Sequence, residues 1–116
     1  MLTFPASTKV FVCTLPTDMR RSFDGLSAMA MSVVQQDPLS GHLFVFRNKG
    51  GDRLKVLYWD RDGLCIWYKR LEKGTFELPA TTTTSVEISS AELSMLIDGI
   101  ALNAQRRKRF VLTRTQ

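Results

Sequence analysis

Two runs of this sequence, residues 53–60 (Arg-Leu-Lys-Val-Leu-Tyr-Trp-Asp) and 64–71 (Leu-Cys-Ile-Trp-Tyr-Lys-Arg-Leu), have the β-branched and aromatic content of strands but lack a clean polar face. In the first, Leu54, Val56 and Tyr58 share one side, while Arg53, Lys55, Leu57 and Trp59 share the other. In the second, Leu64, Ile66 and Tyr68 oppose Cys65, Trp67, Lys69 and Leu71. A sheet apolar on both sides must be covered on both, and one helix covers only one. A third run, residues 43–47, precedes them. The separators Asn-Lys-Gly-Gly-Asp and Arg-Asp-Gly are short and contain glycine, so the three runs read as an antiparallel meander. Residues 75–78 would extend it as a further strand, residues 9–14 form an early strand ended by Pro16, and residues 86–88 add a short one.

Two helices complete the pattern. Asp18 is a good N-cap, and Met19, Phe23, Leu26, Ala30, Val33 and Val34 recur at steps of three or four, an apolar stripe closed by Asp37-Pro38. Arg20 and Arg21 fall in the first turn of that helix, where the dipole disfavours cations. Later, Ser89-Ser-Ala-Glu92 fits a capping box. Ile88 and Leu93 stand as a hydrophobic staple, Leu93, Leu96, Ile97 and Ile100 make the stripe, and Gly99 stops the helix. Residues 81–85, rich in Thr, read as an exposed connector. The expected fold is α+β: an antiparallel meander of about four to five strands packed by two helices, with a basic C-terminal tail. Residues 1–105 form a single domain, and 106–116 a flexible basic tail.

Charge is segregated along the chain. Residues 1–41 balance, 42–76 carry eight cations against four acids, 77–105 hold four acids and no base, and 106–116 hold five cations and no acid. The excess in the total of +5 therefore sits in the tail, whose Arg106-Arg107-Lys108-Arg109 run repels itself unless something acidic receives it. Seven of the eleven aromatics also lie in 42–76, so bases and rings interleave there: either a nucleic-acid surface or a core with a wet edge.

Enzyme signatures are scarce. There is no Gly-rich phosphate loop, and a nucleophile pair would have to be built around the single His42, which reads better as a strand start. Asp60 and Asp62 flank a turn, and paired turn aspartates are usually turn formers; a metal nuclease needs further acids in a pocket. Cys13 and Cys65 are far apart and lack clustered partners, so a zinc site is not expected and both are read as reduced thiols. No cofactor is implied. No stretch approaches the roughly 18 uninterrupted apolar residues of a membrane span, and no basic-then-apolar opening marks an export signal, which points to a cytoplasmic location.

Four blocks carry a resemblance: Pro16-Thr-Asp-Met-Arg-Arg-Ser-Phe-Asp-Gly-Leu26, Gly41-His-Leu-Phe-Val-Phe-Arg-Asn-Lys49, Asp52-Arg-Leu-Lys-Val-Leu-Tyr-Trp-Asp60, and Gly63-Leu-Cys-Ile-Trp-Tyr-Lys-Arg-Leu-Glu-Lys-Gly-Thr-Phe76. In this order they resemble the small TnpB accessory proteins, the second reading frame of bacterial insertion sequences of the sixty-six family. The segment Val86-Glu-Ile-Ser-Ser-Ala-Glu-Leu-Ser-Met-Leu-Ile-Asp-Gly99 is similar to that family's closing helix. The resemblance implies a non-catalytic role in DNA transposition, beside a separate transposase that performs the strand chemistry, and a nucleoid-associated location. It does not decide the direct partner. One expectation is transposon DNA, contacted through Arg47, Lys49, Arg53, Lys55, Lys69, Arg70 and the tail residues Arg106, Arg107, Lys108 and Arg109. The alternative is a module that grips the transposase, or a second copy of itself, through an uncovered sheet face bearing Trp59 and Trp67. Those two rings could also stack on unpaired bases or simply fill the core.

Overall fold

The computed structural model describes residues 4–99. Five strands form one sheet: β1 (Val10–Cys13), β2 (Leu43–Arg47), β3 (Arg53–Asp60), β4 (Gly63–Arg70) and β5 (Ser85–Ile88), in the spatial order β4-β3-β2-β1-β5. The β2-β3-β4 meander is antiparallel as the short loops require, and the fold is α+β. β1 departs from it, pairing parallel with β2 (Phe11 beside Phe44) and antiparallel with β5 (Val12 beside Val86). The reason is connectivity: a helix separates β1 from β2, and a helical crossover returns the chain in the same direction.

That first helix starts later than the apolar spacing suggests. α1 spans Phe23–Met29 and runs directly into a π-helical turn, α2 (Ala30–Val34), which ends at Gln35 in the left-handed conformation, φ 61°. Asp18 is not its N-cap. Its carboxylate accepts the Arg20 backbone N–H at 2.9 Å and pairs with the Arg20 guanidinium at 2.6 Å, while its carbonyl accepts the Arg21 N–H, so it closes a turn upstream of the helix. The last helix, α3 (Ser90–Ile97), matches its sequence signals: Ser89 and Glu92 form the reciprocal capping box, and Gly99 follows at φ 77°.

One helical layer covers each side of the sheet. Leu26, Ala30 and Val34 of α1 and α2 bury Cys13, Phe44, Phe46 and Leu57. On the other side Leu93, Leu96 and Ile97 of α3, with Phe76, bury Val10, Val12, Leu43, Val45, Leu54, Val56 and Ile88. The bare sheet face expected as an interaction surface is therefore corrected: both faces are occupied.

Residues 75–78 are not a strand. Instead of extending the sheet beyond β4, the chain after Arg70 turns beneath it and buries the ring of Phe76 completely. Both backbone groups of Phe76 find partners outside any ladder, its N–H donating to the Gly51 carbonyl at 2.7 Å and its carbonyl accepting Arg47 Nη1 at 2.7 Å. Gly51 sits at φ 80° beneath Thr75, where an added Cβ would lie 3.2 Å from the Thr75 side chain. Because Phe76 is the one large anchor of this segment, Phe76→Ala should destabilise the protein by about 3–5 kcal/mol in urea unfolding. A loss under about 1 kcal/mol would show that the segment does not belong to the core.

Candidate nucleic-acid interface

The six meander cations proposed from the sequence divide into two groups. Arg47, Lys55 and Lys69 are committed to backbone carbonyls. Arg47 holds Phe76, and Lys69 donates to the Ile97 carbonyl at 2.8 Å, at the C-terminus of α3, where the helix dipole favours a cation. Lys55 is buried, 7% exposed, and its Nζ donates to the carbonyls of Met19 and Arg21, 2.8 Å each. That contact anchors the Asp18 turn to the sheet, and it accounts for the chain's course before α1. Lys55 is thereby withdrawn from solvent, while Arg47 and Lys69, both half-buried, each give one donor to a carbonyl.

Lys49, Arg53 and Arg70 are different. Lys49 and Arg70 are exposed and Arg53 half-buried, and among the described residues Lys49 and Arg53 belong to no ion pair within 4 Å. Arg53 and Arg70 are direct cross-strand partners, so two guanidinium groups project from the same face at adjacent positions. Like charges directly opposed on a sheet are destabilising. Arg70 has only a long 4.0 Å contact with Glu72, and Arg53 reaches the Tyr68 hydroxyl at 3.5 Å.

The fold adds two residues that the sequence reading left out. Arg20 joins Lys49 and Arg53 around an open groove of about 570 Å³ floored by Thr17 and Asn48. Tyr68, 48% exposed, lines an adjoining groove of about 370 Å³ with Arg53, Arg70 and Glu72. The cue for Tyr68 was present: with a two-residue turn at Arg61-Asp62 the pairing counts back from Asp60 and Gly63, placing Tyr68 opposite Lys55 and Arg70 opposite Arg53. Arg20 had no such cue, because its position depends on the turn that Lys55 ties down.

The Lys49 loop is rigid by its own bonding. Asn48 Nδ2 donates to the Asp52 carboxylate at 2.8 Å, its Oδ1 accepts the Arg53 N–H at 3.0 Å, and the Asp52 carbonyl accepts the Leu71 N–H at 2.8 Å. The Asn48 amide, aided by Arg53 and Arg70, holds the Asp52 carboxyl below its ordinary value. Three carboxylates thus temper this cationic surface: Asp18 and Glu72 line the two grooves, and Asp52 feels the charges of Arg53 and Arg70.

Trp59 and Trp67 do not form one surface. Trp59 pairs with Leu64 and Trp67 with Val56, registers that send the two rings to opposite sides of the sheet. Trp67 packs against the α3 core, and Trp59 lines a third groove with Phe4, His42 and Arg61. Asp60 ends β3 and Asp62 lies in the β3-β4 turn, and among the described residues no cluster of three or more His, Cys, Asp or Glu is placed to hold a metal ion. No described helix is long and apolar enough to cross a membrane. Arg106, Arg107, Lys108 and Arg109 lie outside the described residues.

Two measurements check this division. Lys55→Ala should lower stability by about 1–3 kcal/mol, because two carbonyls lose their donor; an unchanged urea midpoint would refute the anchoring role. Arg20, by hydrogen bond and charge, pulls the Asp18 carboxyl down to about 2. The stabilisation from this pair is thus complete above the ordinary carboxylate value of about 4 and disappears as pH falls through about 2. An NMR titration should place the Asp18 midpoint near 2, and Arg20→Gln should raise it part of the way toward the ordinary range, since the backbone N–H at position 20 still donates to the carboxylate. A midpoint already ordinary in the unaltered protein would contradict the pairing.

Comparison with known proteins agrees with the blocks quoted above. The model of the family described as IS66 Orf2 like protein matches residues 8–107. Two relatives from Sinorhizobium fredii (strain NBRC 101917 / NGR234) are similar over 100 residues: the uncharacterized protein y4hO, 40% identical across 86% of this chain and 87% of its own, and the uncharacterized protein y4jC, 38% identical across 86% of each. No solved structure matches significantly.

Proposed function

Because this chain belongs to the IS66 Orf2-like family, we propose that it is a non-catalytic accessory protein of DNA transposition that contacts the phosphates of transposon DNA through Lys49, Arg53, Arg70 and the basic run Arg106–Arg109. The observation that carries the reading is the cross-strand pair Arg53 and Arg70. Their mutual repulsion works against the fold, and an anion placed between them relieves it. Lys49 extends the same exposed edge from a loop whose backbone is fixed by Asn48, and Arg20 borders it. Arg47, Lys55 and Lys69 support this surface from behind rather than contact the nucleic acid.

The gripping alternative, in which the protein holds the transposase without touching DNA, drew its motive from an uncovered sheet face. With a helical layer on each side and Trp59 and Trp67 on opposite sides, that motive is gone. The phosphate reading is therefore the one the geometry favours. A transposase that shares the complex is compatible with it, as is self-association.

Phosphate contacts release counterions, so binding measured across a salt series reports how many cations are engaged. The double variant Arg53→Gln/Arg70→Gln should bind element-end DNA more weakly and reduce the log-log salt slope by about 1.8, at about 0.9 per cation lost. Lys55→Ala, where it folds, should leave that slope unchanged. An unaltered slope in the double variant would sink the reading.

A further inference from the structure

Tyr68 has no structural task that accounts for its exposure. It lies on β4, an edge strand, with nearly half its surface in solvent, while the neighbouring residues of its face, Leu64 and Ile66, pack against the α1 layer. Its ring is nonetheless held in place. The Lys55 ammonium, itself fixed by two carbonyls at 2.8 Å, stands 4.8 Å from the ring centroid, and Arg53 Nη1 approaches the hydroxyl at 3.5 Å. A cation against one face of a tyrosine is attractive and orients the ring. The other groups around it are Arg70, two residues along on the same face of β4, and Arg53, opposite Arg70 on β3.

An exposed aromatic ring oriented by a buried cation, with two guanidinium groups beside it on the same face, has the parts of a single-strand site: cations for the backbone and a π-face for a base. A duplex uses only the first, since paired bases expose no face to a side chain on the surface. Resting on the phosphate-contact reading above, we propose that Tyr68 is a stacking platform for an unpaired base, so that the Arg53-Tyr68-Arg70 site takes single-stranded DNA in preference to duplex. Lys55 is then a positioning residue: its buried ammonium sets the ring, and its two carbonyl partners keep it from reaching the phosphates itself. The stacking role falls to Tyr68 rather than to Trp59 or Trp67.

The test uses the full-length protein, a fluorescein-labelled oligothymidine and a labelled duplex of equal length, with anisotropy read at fixed salt. The unaltered protein should bind the single strand more tightly. Tyr68→Ala should weaken single-strand binding by about fivefold to a hundredfold, the range for one lost base stack, and leave duplex binding within twofold. Tyr68→Phe should stay close to the unaltered protein. Equal losses on both probes, or none, would overturn the platform while leaving the phosphate reading standing; loss of neither affinity in Arg53→Gln/Arg70→Gln would overturn both. Irradiation of the unaltered protein with an oligothymidine carrying 5-iododeoxyuridine gives a check that needs no variant. The expected adduct is on Tyr68, and an adduct only at Trp59 or Trp67 would overturn the assignment.

Discussion

Everything in this fold follows from a sheet that must be sealed on both faces. Fully buried Phe44, Phe46 and Leu57 point one way, and fully buried Leu43, Val45, Leu54 and Val56 the other. At about 25 cal/mol for each Å² of apolar surface removed from water, neither set can be left exposed in a domain this small. The chain answers with one helical layer before the meander and one after it, and the long segment around Phe76 fills what the last helix leaves open. The two helices are short, and on their own neither has the length to be stable in water, so sheet and helices exist only together.

Sealing the first face brings a polar group inside. Lys55 belongs by alternation to the same side as Leu57, beneath the chain that leads into α1, and an unpartnered ammonium there would cost several kcal/mol. The Asp18 turn supplies the remedy by directing the Met19 and Arg21 carbonyls onto it. This explains why the helix begins at Phe23 and not at Asp18: the Met19 and Arg21 carbonyls are needed by Lys55, and helical hydrogen bonding would not leave them free. The same turn sets Arg20 beside Lys49. A structural requirement of the core thereby determines which cations meet on the surface.

Much of this was legible in the sequence because it is local. The capping box of Ser89 and Glu92, the Gly99 stop, the strand boundaries at Leu43, Arg47, Arg53 and Asp60, and the exposed Thr-rich connector all follow from residues within a few positions of one another. What was not legible depends on distant partners. The fate of residues 75–78 is decided by Arg47 and Gly51, the start of α1 by Lys55, and the parallel pairing of β1 by the crossover that separates it from β2. The same divide runs through the candidate site. A count of basic residues cannot tell Lys49 from Lys55, because the difference lies in two carbonyls more than thirty positions away. Register, by contrast, was available, and it is what joins Arg53, Tyr68 and Arg70.

The division of cations also bears on the proposed accessory role. A surface of freely moving lysines attracts DNA without holding it in a given orientation. Here strand register and the Asn48 loop fix the backbone from which Lys49, Arg53 and Arg70 project, and the loop's Asp52 is bonded by Asn48. Fixed spacing between charges converts attraction into geometry, because only a backbone whose phosphates match that spacing engages all of them at once. On the reading proposed above, such a domain would present DNA in one shape to a separate transposase. On the same proposal the buried Lys55, bonded to two carbonyls and set against the Tyr68 ring, orients part of the contacting surface.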